Sequence, residues 1–306
     1  MRDDLLQQPG SGYWFRVDPG QLFRFRRGQL TTGPAGEGGG ARAGRPGQCE
    51  VAVGEGLRIR VGAWRAWAPG RETPAAWSDW ANGGTGGDAA VTSDSAAAPA
   101  ALPMILRRRA TPIGQKLIGA ALACGDAART ARYVLASRHG EMTRTVGILD
   151  ALTQGELPSP AEFSMSVHHG LAGLLSIHTG NRAGHTALAA GADSFGYGLL
   201  EAALSLHERP KEAVLLLYGD APLPDGYAAF DGAEERRPLP LALAIALGPA
   251  DGGTDTITVG TVARPDTDAQ DPSASTALDF LRFLLSGAAS ATSVGARRTW
   301  AWRRGA

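Results

Sequence analysis

Between residues 132 and 220, three apolar runs, RYVLASR, HTALAA and EAVLLLYGD, alternate with segments of helical period. Runs this short and uniformly apolar have no polar face to show to water, so they fit strands covered from both sides. Strands separated by helices need crossover connections, which make neighbours parallel and lay helices on the sheet. The pattern predicts an α/β fold with a mostly parallel sheet covered by helices on both faces.

The flanking segments extend this reading. LRIRVGA, from Leu57, is a first strand, followed by a loop, WRAWAPGRE. Thr73 and Pro74 have the N-cap and N1 chemistry of a helix start. PMILRRRATPIGQKLIGAALAC is helical in two pieces broken at Thr111-Pro112, with a basic cluster Arg107, Arg108 and Arg109. EMTRTVGILDALTQG is a helix and SPAEF a loop; SVHHGLAGLLSIHTG and SFGYGLLEAALSLHE are further helices. PLALAIALG and DTITVGTV read as two adjacent strands forming a hairpin, STALDFLRFLLSG as an amphipathic helix and RTWAWRR as a last strand. Residues 82–100 form a low-complexity loop. Residues 1–56 contain TTGPAGEGGGARAGRPGQ, with almost nothing to bury, and are expected to be a disordered extension or a start assigned too far upstream. One domain is expected over 57–306.

Thirty basic residues balance thirty acidic ones, which excludes a broad electrostatic footprint for nucleic acid or an anionic membrane. The two cysteines, Cys49 and Cys124, make neither a disulfide framework nor a metal-ligand pattern, so a reducing cytoplasm is expected. The first residues, MRDDLLQQPGSG, lack the apolar segment of a secretory signal. No phosphate-binding glycine loop follows a strand, so no nucleotide cofactor is expected. The tryptophans at 64 and 67, 77 and 80, and 300 and 302 come in pairs at strand or helix spacing and read as packing rather than base-stacking platforms.

Candidate chemistry is sparse. His168, His169 and His178 fall on one predicted helix, but spacings of nine and ten with no carboxylate between them do not make a metal site. His185 starts a strand and reads as structural. Ser194 in GADSFG resembles a nucleophile elbow, yet position 192 is alanine where the motif needs glycine, and only His207 follows it. In ASRHGE, the residues Arg138, His139 and Glu141 lie where parallel strands end, the usual place for a ligand. The competing reading has Glu141 in the first turn of a helix, favourable to its dipole.

Several stretches in one order resemble the N-terminal half of a β-ketoacyl synthase, in the thiolase-like superfamily. They are WRAWAPG, LRRRATPIGQKL, LASRHGE, FSMSVHHGLAGLLSIHTGNRAGHTALAAGADSF, GDAPLP and RRTWAWRR, spanning the chain from Leu57 to its end. The resemblance is to the short, chain-length-factor type of aryl-polyene and fatty-acid clusters. Active members carry a cysteine after the strand that HTALAA matches. Laid on without gaps, Ala189 and Ala190 match the two residues before it and Gly191 the cysteine itself, which leaves no thiol to form a thioester. No histidine follows His207 to decarboxylate a malonyl group. The resemblance implies a non-catalytic subunit that needs no cofactor. It would pair with an active ketosynthase as a heterodimer, meet acyl carrier protein indirectly and close the end of the partner's acyl tunnel. It puts Phe163, Met165, His168, His169, Thr186, Ala192, Asp193, Phe195 and Tyr197 at the tunnel or the interface, with core packing as the competing reading. The alternative function is an acyltransferase or thioesterase using Ser194 or His139 with Glu141.

Overall fold

The computed structural model describes residues 56–84, 103–230, 239–250, 255–263 and 272–305, together with the backbone of three earlier strands. Those are β1 (Tyr13–Asp18), β2 (Gln21–Arg26) and β3 (Gln29–Thr32). Then come β4 (Leu57–Trp67), α1 (Pro74–Ala81), α2 (Met104–Arg109), α3 (Pro112–Leu122), α4 (Ala127–Thr130) and β5 (Arg132–Ala136). They are followed by α5 (Met142–Thr153), α6 (Pro160–Ser166), α7 (Gly170–Thr179), β6 (His185–Leu188), α8 (Ser194–Glu208) and β7 (Val214–Asp220). A 3₁₀ turn (Asp225–Phe230) leads to β8 (Leu241–Pro249), β9 (Thr256–Ala263), α9 (Thr276–Ser286), β10 (Ser290–Val294) and β11 (Arg298–Arg304).

The chain divides into two units, Met1–Cys49 and Glu50–Ala306. In the first, β1, β2 and β3 pair antiparallel in that order. Alternating Tyr13, Phe15 and Val17 supply the β-propensity there, where the composition of the whole segment predicts disorder. The rest of that expectation, and most of the low-complexity loop, lies outside the described residues.

The second unit holds one eight-stranded sheet, ordered β10-β11-β9-β4-β8-β7-β5-β6. The α/β class is as expected, but the sheet is mixed rather than mostly parallel. Only β5 with β6 and β5 with β7 run parallel; the five remaining pairings are antiparallel. The two apolar runs read as a hairpin do not pair with each other. β4 lies between them, antiparallel to both β8 and β9. β4 also runs on through WRAW, past a bulge between Val61 and Trp64, where a loop is expected.

Two further expectations change. Ser159-Pro160 starts a helix, α6, and its end at the extended Val167 leaves His168 and His169 in a connection, with α7 beginning only at Gly170. SATSV, too polar to stand out, forms β10 at the sheet edge.

Period-2 alternation divides the core. Val134, Leu216, Ile245, Ile257, Trp300 and Trp302 face the layer that contains α8 and α9, and Tyr133, Leu135, Leu215, Leu217 and Ala244 face α3 and α7. β5, β7 and β8 are thus covered on both faces. On β9, β11 and β10 the second face shows half-buried or exposed Thr258, Ala301, Arg303 and Thr292, so helices on both faces hold only for the β5–β8 side.

Candidate functional site

The corner between β6 and α8 is where the sequence predicts a nucleophile position. Gly191 is exposed with φ +61°, and a Cβ built on it would meet no atom within 4 Å. The turn is closed by Ser194, whose hydroxyl donates to the Gly191 carbonyl at 2.7 Å and accepts from the Ala190 N–H at 2.9 Å. Ser194 is buried, and no histidine is among its hydrogen-bond partners within the described residues. This hydroxyl is a turn device, with no base beside it to activate it.

Asp193 is fully buried and tied to the turn before β11. Its carboxylate accepts from the Ala296 N–H at 3.1 Å, the Arg297 N–H at 2.8 Å and the Trp300 indole N–H at 3.2 Å. Trp300 then lies over Gly196, where an added Cβ would come within 2.2 Å of the indole. Tyr197 meets Trp300 edge-on at 5.1 Å, and the buried Phe195 packs on Tyr218 and Phe280, each at 5.5 Å. Of the predicted corner residues, Gly191 and Ala192 are exposed and Tyr197 is half-buried; Asp193 and Phe195 sit in the core. The polar and aromatic side chains of the corner anchor it to β11.

A second cluster forms where β5 and β7 end. Asp220, which the sequence reading missed, accepts from the Ser137 hydroxyl at 2.8 Å and from the N–H groups of Arg138 and His139 at 2.8 to 3.1 Å. A carboxylate closing an apolar strand run, three residues into YGD, is the signal that could have found it. Burial, followed by the Asp220 charge, pushes the Tyr218 phenol well above its ordinary value. His168 reaches the Ser137 carbonyl at 2.9 Å with Nε2. Its ring packs on Gly140, φ +59°, where a Cβ would fall 2.8 Å from Nδ1.

Glu141 is the N-cap residue of α5, but its side chain does not cap the helix. It is turned inward to Thr111, whose hydroxyl donates to it at 3.1 Å, and to Arg144 at 3.4 Å. Arg144 also binds Glu162 and the Arg109 carbonyl. Burial raises the Glu141 carboxyl above its usual range and outweighs the opposing pull of Thr111 and Arg144. A folded-state value above the unfolded one means that the native state holds the proton longer. Stability therefore falls as pH rises from the ordinary carboxylate range to the raised value, by about 1.4 kcal/mol per unit of elevation. Glu141→Gln is expected to flatten that limb in urea unfolding at a series of pH values; curves parallel to those of the parent would refute it. The cavity between Glu141, His168, Leu135 and Leu171 is about 10 Å³, room for one water and no substrate.

The remaining predicted residues are dispersed. Met165 is buried beneath α6, while Phe163 on the same helix is 61% exposed. Thr186 on β6 accepts from Arg132 at 2.9 Å, and His169 stacks on His185 with ring centres 6.0 Å apart. Among the described residues, no three metal-ligating side chains converge and no helix is long and apolar enough to cross a membrane.

The sequence matches the family described as "Beta-ketoacyl synthase, N-terminal domain" over residues 77–303. Curated proteins give no match. Among solved structures, a chain of "Ketosynthase (ApeO) in Complex with its Chain Length Factor (ApeC) from Xenorhabdus doucetiae" is 28% identical. It is covered over 100% of its length by 81% of this chain, with a TM-score of 0.68. A chain of "AntDE:AntF (apo): type II PKS acyl-carrier protein in complex with its ketosynthase bound to the hexaketide" is 14% identical, a likeness of fold alone. It has a TM-score of 0.51, with 69% of this chain and 71% of that one covered. With the match spanning most of the second unit and the strand–turn–helix corner in its expected place, the chain belongs to the β-ketoacyl synthase N-terminal domain family and has its thiolase-like fold.

Proposed function

We propose that this chain is a chain-length-factor-type subunit: it carries out no condensation itself and pairs with an active ketosynthase that elongates chains delivered by acyl carrier protein. The observation that carries this reading is Gly191, a residue without a side chain in an exposed left-handed turn, at the position the family resemblance assigns to the nucleophile. The neighbouring Ser194 and Asp193 are committed to holding the turn. Pairing is supported by two surfaces. β6 is an edge strand, with backbone groups open to another strand. The α5–α6 pair is unusually apolar outside: α5 buries no residue, and Leu149, Leu152, Leu157 and Phe163 are between 43% and 93% exposed. An open groove of about 580 Å³ runs along it, lined in part by Ile148, Ala151 and Leu157.

In this reading, the domain runs from Leu57 to the end of the chain, in the cytoplasm. Its contribution to elongation is steric: side chains at the shared face set how far an acyl chain can grow. Co-expression with an active ketosynthase and its acyl carrier protein is expected to give a stable heterodimer that elongates. The isolated chain is expected to turn over no acyl thioester, and Gly191→Cys to be alkylated readily while gaining no condensation. Ala192→Phe is expected to shorten the product with the heterodimer intact. Turnover by the isolated chain that is lost in Ser194→Ala, or failure to co-purify with the ketosynthase, would overturn the proposal.

A further inference from the structure

The exposed edge of the sheet carries a feature that pairing alone does not need. His185, the first residue of β6, and His169, at the N-cap position of α7, are both exposed and lie face to face, with ring centres 6.0 Å apart and planes 26° from parallel. Stacked imidazoles coexist easily while neutral and repel one another once both carry a proton.

The surroundings of His185 bias that ring toward the neutral state. From β5, Arg132 extends to Thr186, the neighbour of His185, and places its guanidinium 2.9 Å from that hydroxyl. The same guanidinium approaches Gly184, where an added Cβ would lie 3.1 Å from Nη1. Arg182, in the turn before β6, is exposed and adds a further positive charge to the same end of the strand. Among the described residues, no carboxylate is hydrogen-bonded to or ion-paired with either ring. Burial, then His169, then Arg132 all act in one direction and hold the His185 imidazole below its ordinary value.

We infer that the His169–His185 stack makes pairing across the β6 edge pH-dependent: the partner is held while both rings are neutral and released when they protonate. This rests on the reading of β6 as the partner-facing edge. Covering the edge removes water that would solvate imidazolium ions, so the complex favours two neutral rings more strongly than the free chain does. The proton balance follows. For each ring that must lose a proton before binding, the apparent affinity is divided by the ratio of total to neutral forms; that ratio grows about tenfold per pH unit below the ring's own pKa, and the factors of the two rings multiply.

The test is the dissociation constant of the heterodimer, formed with the co-expressed ketosynthase, between about pH 7.5 and about pH 5.5. The parent chain is expected to bind at least ~10-fold more weakly at the lower pH. The double variant His169→Asn, His185→Asn, measured against its own affinity at the upper pH, should change by less than about 2-fold across the range. His185→Asn alone should retain an intermediate slope. A heterodimer of constant affinity across the range overturns the inference while leaving the partnership intact, as does a slope that survives unchanged in the double variant. A ketosynthase that fails to bind at about pH 7.5 overturns both.

Discussion

Gly196→Ala is expected to lower the stability of the Glu50–Ala306 unit by about 3 kcal/mol, or roughly 6 °C in Tm for a unit of this size. The reason is local and severe. The added methyl would stand 2.2 Å from Cε2 and 2.5 Å from two further atoms of Trp300, a side chain with no exposed surface. The indole cannot move away freely, since its N–H is bonded to Asp193 and Tyr197 closes one side. Helix propensity alone would favour alanine by about 1 kcal/mol, so the clash must outweigh a gain. Gly173→Ala makes the control: that position in α7 has nothing within 4 Å of a new Cβ, and the same exchange there should be neutral or stabilising. Equal melting temperatures for Gly196→Ala and the parent would show that Trp300 has room to shift.

Asp193→Ala is expected to cost a similar ~3 kcal/mol by the opposite route, removing atoms rather than adding them. Two backbone N–H groups, of Ala296 and Arg297, and the Trp300 indole N–H would lose their acceptor. A buried donor left without a partner costs about 1–3 kcal/mol. Asp193→Asn should be milder, because one amide oxygen still accepts while the NH₂ faces donors. Denaturant unfolding of both variants, combined with Trp300→Phe in a double-mutant cycle, measures the coupling; strict additivity would mean that carboxylate and indole act independently. Neither variant is expected to expose a hidden activity.

Elements with a strong local signal were legible in the sequence. Thr73 does cap its helix, accepting from the N–H of Ala76, and Thr111, read only as a break, caps α3 in the same way by accepting from the N–H of Gly114. The break at Thr111-Pro112 and the α8 boundaries are where the residues predict them. Strand partners were not legible, because an apolar run states that a strand is buried and says nothing of its neighbour. The antiparallel insertion of β4 between β8 and β9 is the plainest case. The candidate site was half legible. Gly191 stands out through the family resemblance, and the turn it occupies fits a strand-to-helix corner. The partners of Asp193, some 103 residues away in Ala296 and beyond, leave no local trace. For the same reason, Asp193 in GADS is expected at the tunnel or the partner interface, with core packing as the competing reading, whereas its side chain is fully buried.

The place of β4 has a consequence for how the molecule is made. The strand that joins the β8 side of the sheet to the β9 side is the first of its unit to be synthesised, and its two neighbours, Leu241–Pro249 and Thr256–Ala263, come nearly last. Until they emerge, Leu57–Trp67 has no ladder to join, and its apolar positions, including Ile59 and Trp64, must wait in the open or associate with the wrong surface. Closing a loop of that length adds little to the equilibrium cost but delays the contact itself. Assembly should thus be limited by a late capture step, with the nascent chain most vulnerable to aggregation between the synthesis of β7 and that of β9.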